Sequence, residues 1–178
     1  MKKINKNKGI LFWITGLSGS GKTTLGKAIH KEIKKLYGPT IMISGDDVRK
    51  IFDLKGYEYK QRLQITNKYC KFAKYITNQK INIIFAVIGM FHESRKWNKK
   101  NIQNYIEIYV KSNIQKIIKN NKKKIYKKKN PGKLTGLDVK AEYPRNPDIT
   151  ILNNFQNSEK KLKDLLLKKI NIFINEKK

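Results

Sequence analysis

The residues best suited to chemistry form one unbroken octet, Gly16-Leu17-Ser18-Gly19-Ser20-Gly21-Lys22-Thr23, which fits the pattern G-x-x-x-x-G-K-[ST]. Glycines at this spacing let successive backbone N–H groups turn inward around phosphate oxygens. A helix that starts where the loop ends adds the positive end of its dipole. Lys22 is placed to reach the β and γ phosphates of a nucleoside triphosphate, the Thr23 hydroxyl to ligate Mg²⁺, and Thr24 beside it is counted among the nucleotide-binding residues. The octet is read as an ATP-binding loop, with Lys22 catalytic as well as binding. The rival dinucleotide pattern G-x-G-x-x-G, started at Gly19, fails because position 24 is Thr.

Such a loop needs a carboxylate near the metal, supplied from the end of a neighbouring strand. The apolar run Ile81 to Ile88 ends in Gly89-Met90-Phe91 and offers no acid. The other source is Asp46 or Asp47, just beyond a short strand at Thr40 to Ile43. A carboxylate there could hold Mg²⁺ through water or take the proton from an acceptor hydroxyl. Ser44 and Asp47 can also cap a helix carrying Val48 and Ile51. Capping and catalysis can be divided between these residues, and Asp46 is favoured for metal and catalysis.

Several elements must hold these groups in place. Ile10 to Thr15 (ILFWIT) is a continuous apolar run that suits the central strand of a parallel sheet. From Lys22 to Leu36 the apolar residues recur at helical spacing until Gly38-Pro39 stops them. The same patterns predict a helix over Glu58–Gln79, strands over Ile81–Ile88 and Tyr105–Val110, and helices over His92–Ile102 and from Asn113. A last strand falls at Ile149–Leu152, and a helix at about Ser158–Ile174 closes the chain. The alternation predicts an α/β fold of three layers, α/β/α, with a mainly parallel sheet. Between Asn120 and Lys140 lysines crowd around Pro131, Gly132 and Gly136, a stretch too polar for the core and long for a connection. From composition it is a basic loop or a lid.

With 178 residues, one α/β domain over residues 1–178 is expected. Lys and Arg total 41 against 13 acids, a net charge of +28, which favours encounter with anionic partners. Lys, Asn and Ile are all over-used, so most of these lysines are read as solvated faces. The four arginines, Arg49, Arg62, Arg95 and Arg145, stand out in so Lys-rich a chain, because a retained Arg points to need for its planar donor fork. The charge and nine tyrosines would suit a nucleic-acid-binding NTPase, yet no RNA-binding motif and no separable basic stripe support that partner. The lone Cys70 and the absence of metal-ligand spacing make a reduced, cytoplasmic setting the expectation. The apolar run before Gly16 is too short for a membrane span. His30 and His92 need no role. Leu162, Leu165, Leu166, Ile170 and Phe173 form a stripe that faces either the core or a second copy in a homodimer.

With these residues in place, the chain resembles the adenylylsulfate kinase family, small P-loop enzymes that move the ATP γ-phosphate to the 3′-hydroxyl of adenosine 5′-phosphosulfate. The likeness runs from Phe12 to about Leu152. It is carried by WITGLSGSGKTT (Trp13–Thr24), GDDVR (Gly45–Arg49), IEIYV (Ile106–Val110), KIYKK (Lys124–Lys128), LTGLD (Leu134–Asp138) and YPRNPD (Tyr143–Asp148). The resemblance implies that Asp46 is the catalytic aspartate and that Arg49 and Arg62 contact the acceptor nucleotide. It places Tyr57 where a ring stacks on the acceptor base, Ile88-Gly89 in an acceptor-binding block, and Lys127 in a lid motif that touches phosphates. It also turns the basic stretch at about 120–140 into a lid.

The departures fall on the acceptor side. Ser44 replaces an aspartate, Ile65 an asparagine, Asn67 an arginine, Gly89-Met90 a Ser-Pro pair, Leu134 a phenylalanine that closes on the base, and Asn120-Asn121 an Arg-Asp pair. Stacking on an aromatic ring contributes roughly 1–3 kcal/mol per base, so Tyr57 opposite Leu134 would hold a base less tightly than two rings. The expected acceptor is adenylylsulfate, the family's commonest substrate. The alternative is cytidine diphosphoramidate, which a branch resembling this family phosphorylates for capsular polysaccharide decoration.

Overall fold

The computed structural model describes residues 4–120 and 134–176. Residues 121–133, and with them Lys127 and most of the expected lid, lie outside the described residues.

Strand β1 (Leu11–Thr15) is buried at every position, which is why its sequence is apolar throughout rather than alternating. The loop after it enters α1 (Lys22–Tyr37). The chain continues through β2 (Thr40–Ser44), α2 (Gly45–Ile51), α3 (Tyr59–Asn78), β3 (Asn82–Ala86) and α4 (His92–Asn101). Then follow β4 (Tyr105–Lys111), α5 (Ile114–Lys119), β5 (Ile149–Leu152) and α6 (Glu159–Asn175). Among the described residues the sheet has five strands in the order β2-β3-β1-β4-β5, with every pairing parallel. The expected centrality of β1 and the expected three layers are both found.

Alternation along β1 divides the core. Phe12 and Ile14 face Leu25, Ile29 and Ile33 of α1 and Leu162, Leu166, Ile170 and Ile174 of α6. Leu11 and Trp13 face the opposite side, with Val48 of α2 and Ile65, Tyr69, Cys70 and Ala73 of α3. The C-terminal stripe therefore packs on the core, though Leu165 is 41% exposed and Ile174 takes the inward place beyond Ile170. Cys70 is buried, and desolvation pushes its thiol up to about 12, in keeping with a packing role.

All five strands point the same way, so the carboxyl ends of β1, β2 and β3 open onto one edge of the sheet, where the octet, Ser44 and the Val87–Gly89 segment meet. At this edge the Thr15 hydroxyl donates to the Ile88 carbonyl, tying the end of β1 to the segment after β3. Phe85, fully buried beneath it, packs against Trp13 with ring centroids 5.4 Å apart and against Tyr69 at 5.3 Å. Phe85→Ala should cost about 3–5 kcal/mol of stability through lost burial and the cavity left behind, read from urea unfolding midpoints. A change below about 1 kcal/mol would show that this layer does not anchor the sheet edge.

Candidate functional site

The octet wraps a cavity of about 350 Å³ lined by Ser18, Gly19, Gly21, Lys22, Thr23 and Thr24. Gly21 precedes α1 with φ of 94°, a left-handed conformation that an L residue would adopt only under strain. A Cβ there would also lie 2.8 Å from the Asn153 side-chain nitrogen. That amide donates to the Ser20 carbonyl at 3.0 Å, while its oxygen accepts from the Phe155 N–H at 3.0 Å. Asn153, at the end of β5, thus staples the phosphate loop to the segment that enters α6. No motif marks Asn153; a polar residue just past the half-buried strand β5 is its one sequence signal. Lys22 is buried, and its ammonium donates to the Leu17 carbonyl at 2.6 Å.

Ser44 and Asp47 build a reciprocal cap for α2. The Ser44 hydroxyl accepts from the Asp47 N–H at 3.2 Å, and the Asp47 carboxylate accepts from the Ser44 hydroxyl at 2.7 Å and its N–H at 2.8 Å. The Ser44 hydroxyl, then its amide, hold the Asp47 carboxyl below its usual range. Asp47 is therefore engaged as a cap; both it and Asp46 beside it are exposed. Tyr69 supports the same turn by donating to the Gly45 carbonyl at 3.0 Å, and burial pushes its phenol up to about 12, so it stays a donor.

Asp46 lines the 350 Å³ cavity and also a second, smaller one of about 60 Å³, and Gly45, Val87 and Ile88 are shared in the same way. The smaller cavity adds Arg49, Arg62, Ile65, Thr66, Gly89 and Phe91, with Thr135 from the far side of the 121–133 segment. The structure thus brings Asp46, Arg49, Arg62, Ile88 and Gly89 together. It does not bring Tyr57 or Leu134 into this lining. The Tyr57 ring is faced by the guanidinium of Arg49 at 5.0 Å and of Arg62 at 5.5 Å. Arg49 also donates to the carbonyls of Leu54 and Gly56, at 3.0 Å each. Leu134 gives way to its neighbour Thr135, whose hydroxyl accepts from Arg62 at 3.2 Å.

The Arg fork is used most fully where no role was assigned to it. Arg95 is buried, its Nε lies 3.3 Å from the Glu107 carboxylate, and its two terminal nitrogens donate to the carbonyls of Gly89 at 3.1 Å and Glu142 at 2.7 Å. Glu107, an acid within an otherwise apolar strand, was the sequence signal for a buried cation partner. Burial raises the Glu107 pKa, and Arg95 works against that rise.

Among the described residues, no three His, Cys, Asp or Glu side chains come together as a metal cluster. An ion such as Mg²⁺, which keeps several waters and leans on substrate phosphates, suits a site where Thr23 and Asp46 border one cavity. No helix among the described residues is long and apolar enough to cross a membrane.

A phosphate loop on the central strand, with an exposed acid at a neighbouring strand end, defines the P-loop phosphotransferase class. The sequence model of adenylylsulphate kinase matches residues 8–152, and the chain belongs to the adenylylsulphate kinase family. It is accordingly an ATP-dependent kinase that acts on a nucleotide. It is 33% identical over 168 residues to cytidine diphosphoramidate kinase of Campylobacter jejuni, an alignment covering 93% of this chain and 98% of that one. It is 30% identical over 171 residues to adenylyl-sulfate kinase of Clostridium acetobutylicum, covering 93% and 85%. The structure of a Mycobacterium tuberculosis APS kinase in complex with AMPPNP and APS superposes with a TM-score of 0.80 over 92% of this chain and 98% of that one. At 20% identity this likeness shows the shared fold.

The Asp47 cap carries a pH signature. A carboxyl whose folded pKa is depressed contributes stability that is complete above its unfolded value of about 3.9 and is lost as pH falls through the folded value. Asp47→Asn should therefore lower stability at neutral pH and flatten the loss of stability below about pH 4, measured as urea midpoints against pH. A parallel downward shift at every pH would mean the cap is not held by the ionised carboxylate.

Proposed function

We propose that this chain transfers the γ-phosphoryl group of ATP to the ribose 3′-hydroxyl of a cytidine diphosphate derivative, with cytidine diphosphoramidate as acceptor. The observation that carries the reaction type is the position of Asp46, which borders the phosphate-loop cavity and the arginine-lined cavity at once. A carboxylate at that junction can accept the proton of a hydroxyl presented from the smaller cavity as that oxygen bonds to the γ-phosphorus. The bond from the γ-phosphorus to the bridging oxygen breaks, ADP leaves, and Asp46 releases the proton to solvent. Lys22 and backbone amides of the octet offset charge on the moving group. Magnesium, held by Thr23 and through water by Asp46, would neutralise charge on the β and γ phosphates. Arg49 and Arg62 bind acceptor phosphates, and Lys127, by resemblance, adds a contact from the lid at about 120–140. Residues 1–178 act as one domain in this reading.

Two observations support the cytidine acceptor over adenylylsulfate. The Tyr57 ring is already faced by two guanidiniums and Leu134 stands where the family has a second ring, which favours a small base over a purine between two rings. The C. jejuni relative also aligns over nearly its whole length at the higher identity. Adenylylsulfate remains the second reading, favoured by the several adenylyl-sulfate kinases at 28–30% identity.

ADP release with each acceptor tests both parts. The expected kcat/KM is at least about tenfold higher with cytidine diphosphoramidate than with adenylylsulfate, and Asp46→Asn should lower kcat on the better acceptor by about 10²–10⁴. Preference for adenylylsulfate would overturn the acceptor assignment, and unchanged turnover in Asp46→Asn would remove Asp46 from the chemistry.

A further inference from the structure

Outside the reacting groups, one side chain bonds at once to the first turn of α3 and the start of α4 from the segment that follows Lys140. Glu142 lies just beyond the turn at Leu134–Lys140. One oxygen of its carboxylate accepts from the Tyr59 hydroxyl at 2.8 Å, in the first turn of α3. The other accepts from the backbone N–H of His92, the first residue of α4. Its own N–H donates to the Met90 carbonyl at 3.0 Å, and its carbonyl accepts from Arg95 at 2.7 Å. Every polar group of the residue is thus spent on holding other segments.

Those segments are the walls of the smaller cavity. Tyr59 stands three residues before Arg62, and its ring packs edge-on to Phe91 with centroids 5.3 Å apart. Arg62, Phe91 and Gly89 all line the cavity, and Arg95 grips Gly89 and Glu142 with the same guanidinium. The large cavity around the octet has none of these groups in its lining. Burial pushes the Glu142 carboxyl up, but the His92 amide and the Tyr59 hydroxyl more than offset this and leave it below the usual carboxylate range. Its anionic form is the one that both donors stabilise.

We propose that Glu142 is a positioning residue for the acceptor, clamping the first turn of α3 and the segment from Gly89 to His92 into one wall so that Arg62 and the β3–α4 turn present a preformed acceptor cavity. This rests on the reading that the smaller cavity takes the acceptor. Its effect is selective: the clamp touches acceptor walls only, so its loss weakens acceptor binding and leaves ATP binding as it was. Glutamine can replace the carboxylate, because its amide oxygen still accepts from the His92 N–H while its NH₂ donates to the Tyr59 oxygen.

The test combines steady-state kinetics with hydrogen exchange on the intact chain. Glu142→Ala should raise the acceptor KM by about tenfold with the ATP KM within about twofold of wild type, and Glu142→Gln should return the acceptor KM to within about threefold. Tyr59→Phe, which removes one arm only, should raise the acceptor KM by about threefold. Exchange should quicken in Glu142→Ala at the amides of Tyr59–Arg62 and His92–Arg95 and stay unchanged at Gly16–Thr23. Equal rises in both KM values, an unchanged acceptor KM, or a glutamine variant as impaired as alanine would overturn the proposal. If the wild-type chain turns over neither acceptor, the functional reading fails. The exchange pattern then decides the clamp alone, with loosening spread equally to Gly16–Thr23 counting against it.

Discussion

A triphosphate can be held in a protein only where backbone N–H groups converge on it without side chains in the way, and that constraint organises this molecule. The convergence has to sit on something rigid. Here it sits on β1, buried at every residue and flanked on both edges by parallel neighbours, so the loop that follows inherits the position of the sheet. Gly21 takes a backbone conformation that other residues resist, and Asn153 fixes the adjoining Ser20 carbonyl from the end of β5. Parallel pairing then delivers Asp46, two residues past β2, and Ile88, two residues past β3, to the same edge. The donor half of the site is a consequence of sheet order.

The smaller cavity, which we propose takes the acceptor, is built differently. It depends on contacts between different segments: Arg62 with Thr135, Arg95 with Glu107, Gly89 and Glu142, and Glu142 with Tyr59 and His92. Arg95 and Glu107 are both nearly enclosed, and taking either out of water alone would be costly, so each constrains the other's place. The chain uses this buried pair to anchor a wall that is otherwise made of turns.

That difference explains what could be read from the sequence. Runs such as ILFWIT and INIIFAVI declare buried parallel strands by themselves, and the octet declares its ligand because every residue that matters is contiguous. The separation of Asp46 from the capping residue Asp47 was also legible, since Ser44 and Asp47 stand at capping-box spacing. The acceptor side was legible only through resemblance, and there the geometry departs from expectation. Tyr57 is engaged by Arg49 and Arg62, and Thr135 rather than Leu134 reaches the small cavity. Arg95 was marked as unusual in a lysine-rich chain, yet no local pattern links it to Glu107, twelve residues on, or to Glu142. Such pairings follow from how strands and helices stack, which periodicity does not encode.

The same distinction carries a functional expectation for the family. A donor site held by sheet geometry tolerates little change, whereas the wall that we propose faces the acceptor would be altered without disturbing ATP. Of the departures in this chain, Ile65 and Gly89 line the smaller cavity, whereas Ser44 and Asn120 line the cavity around the octet. Transfer to a ribose hydroxyl is read out by ³¹P NMR of the product formed from ATP and cytidine diphosphoramidate. The prediction is a new phosphomonoester resonance coupled to the ribose H3′. Inorganic phosphate alone, or a phosphoryl group added to the diphosphate end of the acceptor, would contradict it.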